Sequence, residues 1–278
     1  MDKDINDNDV IEFLKQKSIW VRRETLKVNR CAPETRLASS LSDIEIFVAL
    51  YYGKILRFDP ANTSWEHRDR FIVSKGHGGV SLYPILADLG FFDKAELSRV
   101  CKEGSFLGGI PDTSIPGFET VNGSLGHGLG VACGICLAIK SKGLDSNVFV
   151  LMGDGELYEG SVWEAIMFAS QHRLDNLVLI VDYNKISMLD YCRNIIDLTP
   201  LEAKFETFGW KAEGVDGHDV REVYEVLKSL AEDKSKQPKM LVAHTIKGKG
   251  VRQLETDVLC HVKCLTEDEI EAILKELH

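Results

Sequence analysis

Two unbroken apolar runs, Val148-Phe149-Val150-Leu151-Met152 and Leu177-Val178-Leu179-Ile180-Val181, constrain this chain more than any other feature. A run without a polar residue offers water no face, so each reads as a strand buried on both sides, as in a parallel sheet covered by helices. Ser161 to His172 lies between them with helical character and completes a strand, helix, strand unit. Gly153-Asp154-Gly155 follows the first run and Asp182-Tyr183-Asn184-Lys185-Ile186 leaves the second, so both segments emerge at the carboxyl edge of the sheet. That edge is where open parallel sheets bind ligands.

Asp154 and the amide oxygen of Asn184 are then two oxygen donors at adjacent strand ends. Mg²⁺ takes about six oxygens, usually a few from protein and the rest from phosphate and water. With a nearby backbone carbonyl, this pair leaves room for a diphosphate. The acidic balance, a net charge of −10 with no dense basic cluster, argues against nucleic acid and acidic membranes as partners, so phosphate recognition must be local. No apolar stretch is long enough to span a bilayer, and Met1 to Asp9 is too acidic for a signal peptide, which leads to the expectation of a cytoplasmic protein. Seven scattered cysteines read as reduced thiols, with Cys133 and Cys136 packing in a helix. Cys260-His261-Val262-Lys263-Cys264 lacks a second ligand pair at zinc-finger spacing.

Along the chain, residues 1–9 are expected to be a flexible acidic terminus and 10–278 one domain that binds cofactor and metal. Helices are predicted from Val10 to Asn29, after Ser42 as a cap, up to Leu89, over Leu129 to Lys140, near Pro200 to Phe208, from Val220 to Leu230 and from Thr266 to Leu277. Short strands are predicted at Phe71 to Ser74 and Met240 to Ala243. Gly104 to Gly126 is too long and too rich in Gly, Pro, Ser and Thr for a plain connector, and reads as a functional loop. The alternation predicts an α/β fold, a doubly wound, mostly parallel sheet with helices on both faces.

The stretch from Gly153-Asp154-Gly155 through Glu159-Gly160 to Asn184-Lys185-Ile186 resembles the thiamine diphosphate motif of the transketolase family. The resemblance extends from about Trp20 to the C-terminus. Asp69 to His77 is similar to the family's segment bearing an active-site histidine. Ile115 to Glu119 and Gly123-Ser124-Leu125-Gly126 are similar to the loop that reaches the thiamine rings, and Thr245 to Gly250 with His261 to the closing segment near diphosphate and substrate. The resemblance implies a thiamine diphosphate and Mg²⁺ domain. Asp154, Asn184 and the Ile186 carbonyl would hold the metal, and Gly123, Ser124, Leu125, Gly153, Gly155 and His261 the cofactor. Glu159 would link cofactor sites across an interface, and His77 and His261 would donate hydrogen bonds or shuttle protons. It also implies an N-terminal subunit of a split transketolase, because the chain stops before the domain that carries the family's activating glutamate. A separate pyrimidine-domain chain would complete it, as a heterotetramer moving a two-carbon ketol unit from a ketose to an aldehyde.

The departures concern substrate. Arg36 stands where the family has a histidine, and Ile110 in Gly109-Ile110-Pro111 replaces another. An isoleucine cannot hold a hydroxyl, while a guanidinium suits a carboxylate or phosphate, so a modified, acidic or nucleotide-linked sugar is expected. Arg36 paired with Glu34 on a solvated loop is the plainer alternative. His127 is expected to hydrogen-bond at a helix start, Lys247 and Lys249 to neutralise diphosphate or be solvated, and Met188 to pack on cofactor or core. Two other functions share the metal motif: the α-type subunit of a thiamine-dependent 2-oxoacid decarboxylase or dehydrogenase, and a non-catalytic cofactor-binding regulatory subunit.

Overall fold

The computed structural model describes residues 7–121, 123–188 and 190–277. Residues 1–6 of the expected flexible terminus lie outside that range, and Asp7 to Asp9 are not flexible loop but the first turn of helix α1 (Asp7–Cys31). Two acidic residues in that turn favour the positive end of the helix dipole. Helices α2 (Leu37–Leu41) and α3 (Ile44–Tyr51) follow, with Asp43 at the entry to α3. Ser42 does not cap α3 as predicted. Its hydroxyl instead donates to Asp182 at 2.8 Å, a demand made by the tertiary structure.

Strand β1 (Arg70–Val73) leads through a 3-10 turn into α4 (Leu82–Asp88). After the long loop come α5 (Gly128–Ser141), β2 (Val148–Gly153), α6 (Gly160–Gln171) and β3 (Leu177–Tyr183). A two-residue hairpin, β4 (Ile186–Ser187) with β5 (Asp190–Tyr191), and the short α7 (Cys192–Ile195) occupy the segment after Asn184. The chain closes with α8 (Leu201–Thr207), β6 (Lys211–Asp216), α9 (Val220–Glu232), β7 (Lys239–His244), α10 (Arg252–Glu255) and α11 (Glu267–Glu276). Asp219 caps α9, and Thr266 with Glu269 forms a capping box on α11.

The sheet runs β1-β2-β3-β7-β6 with every pairing parallel. Phe149, Leu151, Val178 and Ile180 point into one core under α1, α3, α4 and α9. Val148, Val150, Leu177 and Leu179 point into the other, under α5, α6 and α8. This two-residue alternation between two dry layers is why the runs 148–152 and 177–181 contain no polar residue. Strand β6 escaped sequence reading because Lys-Ala-Glu-Gly-Val-Asp sits at the sheet edge, half wet, and has no apolar pattern. Register levels the strand ends: Gly153 pairs with Asp182 and Asp182 with Ala243, so β2, β3 and β7 finish together and their next residues meet.

Candidate active site

The residues just past β2, β3 and β7 line one cleft of about 250 Å³ at the carboxyl edge. Asp154, Asn184 and Ile186 converge there, with Gly153 and Gly155 beside them and Gly123 and Leu125 across from them. His77, His261 and Ile110 complete the wall. Ser124 and Glu159 are exposed and do not line it, and neither does Arg36. Met188 lines the cleft but is largely exposed rather than packed in a core.

Asp154 is buried, and its two oxygens accept the backbone N–H of Gly155 at 2.8 Å and of Lys185 at 2.5 Å. Burial, reinforced by the negative charge of Asp182, raises its pKa to about 6. A cation beside it would offset that penalty, and the Asn184 carboxamide and Ile186 carbonyl in the same cleft offer oxygens of the kind Mg²⁺ takes. Among the described residues no three His, Cys, Asp or Glu side chains form a metal cluster, so a metal here relies on the carboxamide, backbone and ligand oxygens. The Ile186 carbonyl accepts the Nζ of buried Lys247 at 3.0 Å. Lys247 is therefore no solvated lysine; it places a positive charge against the cleft floor.

Beneath the cleft lies an ionic cluster that sequence reasoning missed. Lys75, with 1% of its side chain exposed, donates to Asp182, to Asp43 at 3.0 Å and to the Ser39 carbonyl at 3.3 Å. Burial alone would discharge this lysine, but the two carboxylates outweigh it and hold it charged. Burial opposes ionisation of Asp182 as well, and Lys75 overrides it, keeping Asp182 far below the usual carboxylate range. Gly78 permits this crowding, since a Cβ there would lie 2.5 Å from Asp43 Oδ2. The available signal was a charged residue directly after each apolar strand, at Lys75 and Asp182.

Glu156, also missed, ties the loop at Gly126 to the end of β2. Its carboxylate accepts the Ser74 hydroxyl, the Gly126 N–H at 2.8 Å and the Gly153 N–H at 3.4 Å. Gly126 has φ +86°, and a Cβ there would strike Glu159, so the loop approaches α6 only through a glycine. His127 starts α5 exposed and makes no side-chain cap, contrary to expectation, while Glu156 and Ser74 hold the neighbouring Gly126 and Gly128 N–H groups.

His77 and His261 meet edge to face, ring centroids 5.2 Å apart, and His261 Nδ1 lies 3.4 Å from the Ser39 hydroxyl. Burial first, then the charges of Lys247, Arg36 and Lys75, lower the His261 pKa to about 4. Burial and Lys75 likewise hold His77 well below the usual histidine range. Both rings are neutral at pH 7, each with one donor and one acceptor nitrogen. Glu34 lies against the Cys101 thiol, and among the described residues no ion pair joins it to Arg36. The field of Arg36 reaches His261 at the cleft mouth instead.

These shifts have opposite signs in stability. The folded His261 binds its proton less well than the unfolded one, so its contribution is complete above about pH 6.5 and is lost toward pH 4. Asp154 binds its proton better folded, so its ionisation costs stability as pH rises from about 4 to about 6. Urea midpoints of the metal-free chain should show His261→Asn gaining on wild type as pH falls through the first window. Asp154→Asn should gain as pH rises through the second. Parallel curves in both would show that neither group is perturbed.

Residues 37–278 match the family model described as transketolase, thiamine diphosphate binding domain. A 6-deoxy-6-sulfo-D-fructose transketolase subunit of a Clostridium species is 36% identical over 265 residues, 95% of this chain and 96% of that one. One subunit of the apulose-4-phosphate transketolase of Actinobacillus succinogenes is 37% identical over 95% of both chains. The crystal structure of transketolase from Campylobacter jejuni superposes with TM-score 0.87 at 29% identity, covering 95% of this chain and 42% of that one. With the strand ends, the cleft and these matches in agreement, the chain belongs to the transketolase family, as a thiamine diphosphate binding domain.

Proposed function

We propose that this chain is the diphosphate-binding subunit of a split, cytoplasmic transketolase that moves a two-carbon ketol unit from a ketose to an aldehyde. The observation that carries the reading is the convergence of Asp154, Asn184 and Ile186 with His77 and His261 in one cleft. Asp154, the Asn184 amide oxygen and the Ile186 carbonyl would hold Mg²⁺, and the Gly155 N–H with the charge of Lys247 would hold diphosphate. Thiamine diphosphate, when bound, accepts the electron pair released as the bond beside a ketose carbonyl breaks. His77 and His261, neutral in the cleft, would donate to the substrate oxygen that gains charge and take the proton back. Seven free thiols agree with a reducing compartment.

A partner chain is supported by the relatives, several of which are named as subunits, and by a bare face on this protein. Up to Lys140 in its last turn, the outward positions of α5, Gly130, Val131, Gly134, Leu137 and Ala138, carry no charge, and Met167 and Phe168 are exposed on neighbouring α6. Apolar surface of this kind marks a docking site. Exposed Glu159, at the start of α6, lies close to this face, in keeping with a link between cofactor sites in a heterotetramer. The decarboxylase and regulatory readings draw no support from these relatives.

The substrate is proposed to be a sugar other than an unmodified pentose phosphate. Ile110 puts an alkyl group in the cleft wall and Arg36 a permanent cation near His261. The two relatives named above act on a sulfonated ketose and on apulose 4-phosphate.

Three outcomes test this reading. Asp154→Ala should leave a folded chain and weaken magnesium-dependent thiamine diphosphate binding, measured by calorimetry, by well over about 1 kcal/mol, the loss of a charged metal ligand. The purified chain should be inert alone and active once mixed with a pyrimidine-domain subunit; steady turnover without one would contradict the split enzyme. In the complete enzyme, kcat/KM should favour acidic or modified sugars over ordinary ketose and aldose phosphates. Arg36→His and Ile110→His should move that ranking back, and an unmoved ranking would remove both residues from specificity.

A further inference from the structure

Asn184 makes two hydrogen bonds of opposite sense. Its Nδ2 donates to Asp182 Oδ2 at 2.8 Å, and its Oδ1 accepts the Ile186 N–H at 3.1 Å. A carboxylate can only accept and a backbone N–H can only donate, so both partners select the same one of the two amide orientations. Turned over, the amide would face donor to donor and acceptor to acceptor. Asp182 is fully buried and is not part of the cleft wall, and the cleft-lining oxygen ligand that it holds by a hydrogen bond is Asn184. Its own oxygens are fixed by donors from three other segments: Lys75, Ser42 at 2.8 Å and Thr245.

We propose that Asp182 is a positioning residue for the metal site: anchored by Lys75, Ser42 and Thr245, it locks the Asn184 carboxamide with oxygen rather than nitrogen available to a divalent cation. This rests on the magnesium reading above. An amide nitrogen has no lone pair to give a hard cation, so orientation decides whether Asn184 is a ligand at all. Partners of this kind, one step behind the ligands, are worth about 10- to 100-fold in metal affinity.

The test is Mg²⁺ titration of the complete enzyme, this chain with its partner subunit, in saturating thiamine diphosphate, followed by calorimetry, with the thermal midpoint of the same proteins. Asp182→Asn can present either end of its own amide to Asn184, and should weaken Mg²⁺ by about tenfold or more. Thr245→Val removes a different bond to Asp182 and should lower the midpoint while Mg²⁺ affinity stays within about threefold. The exchange D182N/N184D is the decisive variant. It places an amide donor at 182 and a carboxylate at 184, which offers oxygen whichever way it turns, so affinity should return to within about threefold of wild type. Wild-type affinity in D182N, or a D182N/N184D protein as weak as D182N, would overturn the proposal. If D182N does not fold, D182N/N184D decides by the same criterion. Absence of Mg²⁺ binding by the wild-type enzyme would instead sink the magnesium reading beneath it.

Discussion

Lys75 is a cation with almost no access to water, placed between Asp43 and Asp182 where the sheet ends, and four segments depend on it. It follows β1, it draws in the junction of α2 and α3 through Ser39 and Asp43, and it fixes the end of β3 through Asp182. Asp182 in turn gathers Thr245 from the segment after β7. Buried ion clusters add little net stability, because desolvation cancels most of the attraction. Removing one partner is another matter, at about 3–5 kcal/mol, because a buried charge is left alone. The cluster is therefore better understood as a clamp that sets where strand ends lie than as a source of stability.

The clamp also shapes the electrostatics above it. Lys75 and Lys247 send positive potential into a cleft whose carboxylates, Asp154 and Glu156, form no salt bridge among the described residues. That field, added to burial, keeps His77 and His261 neutral. The same field favours an anion in the cleft, and a neutral imidazole can both give and take a proton there. A field that favours anions and two neutral imidazoles thus come from one arrangement in a chain whose overall charge is strongly negative.

The legible part of the site was the part that sits on strong local signals. Asp154 and Asn184 follow apolar runs that can only be buried strands, so their meeting at one edge was readable. Glu156 was not, although it lies two residues from Asp154, because its partners Ser74 and Gly126 are far away in sequence. Ser42 was read as a helix cap on local grounds and was claimed by Asp182, which is 140 residues away. Strand β6 was invisible because an edge strand half exposed to water needs no apolar pattern.

By itself, then, the sequence determined the alternation of strand and helix, the two-faced burial of β2 and β3, and the glycine-bounded turn that presents Asp154. These follow from hydrophobic periodicity and backbone sterics, which act over a few residues. Only the tertiary structure decided the parallel register that levels β2, β3 and β7, the burial of Lys75 between two acids and the orientation of the Asn184 amide. Those depend on groups distant along the chain sharing one dry space, where an unpaired charge or polar atom is costly and each partner is chosen by what else is within reach.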